Sequence, residues 1–237
     1  MERIADASSS PKARVIGVVW LAYFLTGSLG GYLMKGLVVP ADAAATAKNI
    51  LAHASLYRSG FAVGLIANAI YLALTALLYR LFEPVNRSIS LIAAFFSLVG
   101  CIVQIFAGLL QLAPLVVLGD SKSLAAFSTE QLQAAALLSL KLYAQTFNIS
   151  LVMFALFELA IGYLIIRSTF LPRILGVLMV VAGFGGLTFL WPPLATPLVS
   201  YIVALNVGEF LLPLWLLVKG VDVSRWRERA TPHLNAV

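Results

Sequence analysis

Glu158 and Glu209 are the carboxylates that fall inside long apolar runs of this 237-residue chain. A charge near the middle of a bilayer is costly, so a carboxylate there is a functional-site hypothesis by default. Glu158 stands about eight residues, and Glu209 about nine, before the end of its run. At 1.5 Å per residue both sit about 12–14 Å below the same surface. Pro213 follows Glu209 by four residues and lacks the N–H that would bond the carbonyl at i−4. The Glu209 carbonyl is thereby freed in mid-run, and Asn206 lies at i−3. These groups make a local polar site on a kinked helix, the kind of place where transporters hold ions and substrates. The competing account is a kink whose open groups are satisfied by a neighbouring helix.

Further polar residues recur at helical spacing. Gly64, Asn68, Tyr71, Thr75 and Tyr79 step by three and four residues and so share one face. Ser97, Gly100, Gln104, Gly108 and Gln111 do the same. Asn148, Ala155 and Gly162 share a third face, with Glu158 beside it. Two readings stand side by side. In one, these faces are interhelical glue: amides bond across, and small residues, including the pairs Gly27/Gly31 and Gly60/Gly64, let helices close up. In the other, Asn68, Tyr71, Gln104, Asn148 and the two carboxylates line a polar cavity.

The sequence lacks the patterns of common enzyme chemistries. There is no G-x-S-x-G elbow, no H-E-x-x-H and no G-x-x-x-x-G-K-[ST] loop. Gly183-Phe-Gly185-Gly186 is glycine-rich but lacks the third glycine of a dinucleotide site. No aspartate pair lies in the apolar runs, and Ser and His do not occur together there. Cys101 is the one cysteine, and His53 and His233 lie in polar segments, so no zinc or haem site is expected. No catalytic residue and no cofactor is assigned.

The elements that must position these residues follow from composition. Hydrophobic residues make up 61% and charged residues 11% of the chain, against about 25% charged in a soluble domain. Mean hydropathy is +0.97. Such a chain cannot cover a water-facing surface, and its apolar side chains must face lipid as well as one another. About 20 apolar residues cross a hydrocarbon core as a helix. Six runs qualify, from about Val15 to Met34, Phe61 to Tyr79, Ile89 to Leu118, Leu142 to Ile166, Ile174 to Leu190 and Leu194 to Val218. The first is longer than the roughly 7–15 apolar residues of a signal peptide and reads as a retained span.

Orientation follows from basic residues. Arg3, Lys12, Arg14, Arg80, Arg87, Arg167, Arg173, Lys219, Arg225, Arg227 and Arg229 fall on one side. Lys35, Lys48, Arg58, Lys122 and Lys141 fall on the other. The first side is therefore cytoplasmic, and so are both ends of the chain. The net charge of +6 is read as topology, not as nucleic-acid binding.

The domain reading is a short cytoplasmic segment over 1–13, a transmembrane domain over 14–219 and a basic cytoplasmic tail over 220–237. Around Trp226 that tail can hold anionic lipid or simply anchor the topology. In the first outer loop Asp42 is a candidate N-cap for a short helix. Ser128 with Gln131 fits a capping box, opening a helix that runs on into the fourth span and rises above the outer surface. These segments are either amphipathic connectors or a lid over an outward-facing cavity. Arg14-Val-Ile-Gly17-Val, Arg173-Ile-Leu-Gly176-Val and Arg87-Ser-Ile-Ser90 open spans from the same side. The chain can be read as three tandem helical hairpins, or as spans that share only the basic-end bias.

The stretch Gly162-Tyr-Leu-Ile-Ile-Arg-Ser-Thr-Phe-Leu-Pro-Arg-Ile-Leu-Gly176 resembles the hallmark of a prokaryotic family of domains of unknown function, number 4386. Phe147-Asn148-Ile149, Trp215-Leu-Leu-Val-Lys-Gly-Val221 and the loop residues Thr46, Asn49-Ile50-Leu51 and Tyr57-Arg58 are similar to it as well. The likeness runs from about Lys12 to Val221. It implies an integral membrane protein and brings no established activity. Glu209 stands where the resemblance implies a Glu. Glu158 matches no family pattern, and Phe157 stands where a His is implied, which counts against a two-carboxylate mechanism.

The expectation is an all-α, six-helix transmembrane bundle in a prokaryotic cytoplasmic membrane. Its activity would be the binding or transport of a small molecule, ion or lipid around Glu209. The expected partners are membrane lipids and an unidentified small molecule, ion or protein. An accessory protein acting through a partner is the alternative, and a membrane-embedded enzyme is the third reading.

Overall fold

In the computed structural model, which describes residues 10–119 and 124–234, every regular element is helical. In chain order these are α1 (Ser10–Met34), α2 (Ala43–Ala52), α3 (Ala54–Phe82), α4 (Arg87–Gly119) and α5 (Thr129–Arg167). They continue as α6 (Arg173–Gly186), a 3-10 turn (Leu187–Leu190), α7 (Pro192–Leu205), α8 (Val207–Val218) and α9 (Val223–Leu234). Six segments are long and apolar enough to cross a membrane: α1, α3, α4, α5, α6 with its 3-10 turn, and α7 with α8. The expected all-α membrane fold is the observed one. Arg3 and Lys122 lie outside the described residues, as do residues 1–9 of the N-terminal segment and 235–237 of the tail.

Local chemistry accounts for the helix starts. The Asp42 carboxylate accepts the N–H of Ala45 at 2.8 Å and opens α2. At α5 both halves of a capping box form. The Gln131 N–H bonds the Ser128 hydroxyl at 3.3 Å, and the Ser128 N–H bonds Gln131 Oε1 at 2.8 Å. From there α5 runs unbroken for 39 residues. That is about 58 Å, nearly twice a hydrocarbon core of about 30 Å, so its start stands clear of the apolar layer. Ile50 of α2 joins Leu37, Tyr57 and Leu140 in one buried cluster, which fixes the first-loop helix against that raised start.

The chain divides into two compact units. One takes in the residues up to Ala22, Ile70–Cys101 and everything from Ile149 onward; the other is Tyr23–Ala69 with Ile102–Asn148.

In the first unit, helices cross where side chains are smallest. A Cβ on Gly17 would lie 2.7 Å from the Pro213 carbonyl oxygen and from the Leu217 nitrogen, so α1 and α8 meet backbone to backbone. Gly162 and Gly176 do the same for α5 and α6. Ser90 is 1% exposed and its hydroxyl bonds the Tyr79 carbonyl on the preceding helix. Gly17, Ser90 and Gly176 are the residues three after Arg14, Arg87 and Arg173. The similar span openings therefore share a role, each placing a small residue at a close helix contact. Beyond α8, Gly220 takes φ +71, a left-handed conformation that suits glycine at a helix end. The turn leads to Asp222, whose carboxylate accepts from the Ser224 hydroxyl and the Arg225 N–H and caps α9. The Trp226 indole then donates to the Leu81 carbonyl at 3.0 Å, and Arg225 to that of Thr169 at 3.1 Å. These bonds seat the tail helix on the end of α3 and on the turn that follows α5.

Candidate functional site

The sixth span breaks, and the break lies three residues before Glu209. Asn206 leaves the helical conformation (φ −72, ψ 9), ends α7 and begins α8. Pro213, from which a kink was expected, sits inside α8. Glu209 thus occupies the first turn of a half-helix, its N–H bonded to the Asn206 carbonyl at 3.0 Å. The open N–H groups and dipole of such an end favour negative charge. The Asn206 side chain does not cap α8, and its Oδ1 is buried without a hydrogen-bond partner.

Glu158 comes from the last third of α5 and is 6% exposed. Its carboxyl group lies within Coulombic reach of Glu209. Both helices are held close to α6 by glycines. A Cβ on Gly183 would meet the Ala155 carbonyl oxygen at 2.8 Å, and one on Gly208 the Leu178 carbonyl carbon at 2.7 Å. Neither carboxylate has a cation beside it: the ion pairs among the described residues are Glu83–Arg87 and Asp222–Arg225. No group of three or more His, Cys, Asp and Glu gathers among the described residues. The two carboxylates offer hard oxygen donors, and the unpaired Asn206 Oδ1 is another on the same span as Glu209.

The polar faces divide between the two units. In the first unit they are packing. Tyr71 is 3% exposed and meets the edges of Phe154 and Phe157 at ring-centroid distances of 5.0 and 6.1 Å. Thr75 bonds Ser97 at 2.6 Å between α3 and α4, and Gly100 receives the Phe154 ring. In the second unit the same faces border a cavity, lined in part by Asn68, Gln104, Gly108 and Gln111. Asn148 belongs to that unit and is half-buried, but it is not on the cavity wall. The candidate residues therefore form two sets: Glu158, Glu209, Asn206 and Pro213 with the core residue Tyr71, and Asn68 with Gln104.

Gln111 was expected on a polar face; Tyr57, Met34 and Trp20 were not. The Tyr57 hydroxyl donates to the Gln111 carbonyl, and the Gln111 amide to Met34 Sδ at 2.7 Å, all on the cavity wall. The signal was present: Tyr57, Phe61, Gly64 and Asn68 step by four, three and four, extending the polar face of the second span backward. Trp20 is fully buried with its indole N–H unpaired, and nothing in the spacing marks it.

The model of a family described as a domain of unknown function, DUF4386, matches residues 15–220. The chain belongs to the DUF4386 family. Several residues that carried the resemblance have definite structural work in this DUF4386 chain. The Thr46 hydroxyl bonds both the N–H and the carbonyl of Val39 and pins the first loop. Gly162 and Gly176 form the α5–α6 crossing. Gly220 makes the turn into the tail. No curated protein and no solved structure matches the chain.

Proposed function

We propose that this protein binds a small cation, the proton included, at the Glu158–Glu209 pair and passes it across a prokaryotic cytoplasmic membrane. Both chain ends would face the cytoplasm, as the distribution of Lys and Arg favours. The observation that carries the reading is the break at Asn206, which sets Glu209 in the first turn of α8 within Coulombic reach of Glu158. Interrupting a helix in a medium without water leaves backbone groups open, and two like charges there repel. A cation or a shared proton between the carboxylates offsets both costs. The oxygen donors suit a proton or a hard cation better than a soft metal.

The test is thermal unfolding of the full chain in nanodiscs, wild type against Glu209→Gln, over a pH series and with Na⁺, K⁺, Mg²⁺ and Ca²⁺. A proton- or cation-dependent shift in the wild type that Glu209→Gln abolishes supports the reading. No shift anywhere, with the variant equally stable or better, makes Glu209 packing chemistry and favours an accessory protein that acts through a partner.

A further inference from the structure

The second unit contains a cavity of about 540 Å³, inside the range of roughly 300–1,000 Å³ usual for small-molecule sites. It is walled by α1, α3, α4 and α5. Part of its space comes from missing side chains: a Cβ added to Gly27, Gly31 or Gly64 would meet nothing within 4 Å. These glycines were expected to bring helices together. Gly30 and Gly60 do so, with a Cβ on Gly30 falling 3.3 Å from the Gly60 carbonyl oxygen. Gly27, Gly31 and Gly64 keep the cavity open instead.

Among the described residues the wall holds no Asp, Glu, Lys, Arg or His. Its polar capacity is uneven along its length. At the end near the first loop, Tyr57 and Gln111 already have partners. About 16 Å further along α3, Asn68 spends its Nδ2 on the Gly64 carbonyl at 3.2 Å and leaves Oδ1 buried and unpaired. Gln104 adds a second primary amide to the wall. A buried acceptor without a partner is rare in a native structure and calls for an explanation. On the same helix segments Leu25, Leu29, Leu65, Ile66, Phe106 and Leu109 are exposed, so the cavity is set in an apolar, lipid-facing surround.

From this we infer that the cavity binds an uncharged amphiphile drawn from the lipid phase. Its hydroxyl or primary-amide head donates to Asn68 Oδ1, and its apolar chain lies along Gly27, Gly31 and Phe61. A charged head would be buried without a counter-charge and is disfavoured. This inference does not rest on the Glu158–Glu209 reading.

The probe is tritiated oleamide, bound to the full chain in phosphatidylcholine nanodiscs and measured against empty nanodiscs. Two probes of the same chain length serve as controls: octadecene, which has no head, and oleyltrimethylammonium, which carries a fixed charge. Saturable binding of oleamide at least tenfold tighter than either control is expected. Asn68→Leu should close that gap, and Gly64→Leu, which fills the space, should weaken binding at least tenfold at unchanged helicity. Equal binding of the three probes, or wild-type oleamide binding by a folded Gly64→Leu protein, would overturn the inference. If Gly64→Leu does not fold, Gly31→Leu from the facing helix decides by the same two outcomes.

Discussion

Gly162 on α5 and Gly176 on α6 face each other so closely that a Cβ on either would lie 2.7 Å from the other's carbonyl oxygen. The two glycines bound the stretch that resembles the DUF4386 hallmark, so the recognisable sequence there encodes a helix crossing. Alanine at either position must push two backbones apart, at a cost of about 1–3 kcal/mol. The better helix propensity of alanine, worth up to about 1 kcal/mol, does not recover this. Gly27→Ala and Gly31→Ala, with nothing within 4 Å, should instead be neutral or stabilising by up to about 1 kcal/mol. Unfolding of the four variants in nanodiscs checks the opposite signs.

The two intramembrane carboxylates should show coupling. Glu158→Gln and Glu209→Gln each remove one partner of the same interaction, so their effects on stability should not add. The double variant should fall short of the sum by about 0.5–3 kcal/mol. A double-mutant cycle read by unfolding tests this, and additivity within about 0.3–0.5 kcal/mol would show that the pair does not interact.

Asn206 interrupts the sixth span while leaving its own Oδ1 unpaired. Asn206→Leu removes that orphan and offers the chain a continuous helix. A gain of about 1 kcal/mol is expected, together with loss of any cation-dependent shift in unfolding. A stabilised variant that keeps the full cation response would separate the break from the binding site.

The tail helix depends on two specific features. Gly220→Ala places a Cβ at φ +71 and should cost about 1–2 kcal/mol. Trp226→Phe removes the bond to the Leu81 carbonyl and should cost about 1 kcal/mol. Both should hasten tryptic cleavage at Arg225, Arg227 and Arg229 relative to the wild type.

Acid should release the same helix. The Ser224 hydroxyl, then the Arg225 N–H and guanidinium, hold the Asp222 carboxyl below the usual aspartate range. A lowered folded-state value means that the carboxylate's contribution is complete above the unfolded aspartate value of about 3.9. It is lost as the pH falls through the folded value. Helicity of the tail, followed by a label at its end, should drop in that window in the wild type. In Asp222→Asn the tail should already be loosened at neutral pH and show no such step.

Composition and local spacing determined the spans, the Asp42 and Ser128 caps and the inward turn of the polar faces, because hydropathy, capping and helical period act over a few residues. They could not show that Gly27 and Gly31 border space while Gly162 and Gly176 close a crossing. The same residue type serves both ends, and only the neighbouring helix decides which. The same holds for Asn68 and Tyr71, one turn apart on one face: the first lines a cavity and the second is sealed by Phe154 and Phe157. Pro213 announced a disturbance in the sixth span, but its place at Asn206 was set by tertiary packing, with Gly208 against Leu178 and Gly17 against Pro213. The lateral placement of Glu158 and Glu209 could not be read from depth alone. Depth fixes one coordinate, and the packing of α5 and α8 against α6 supplies the other two.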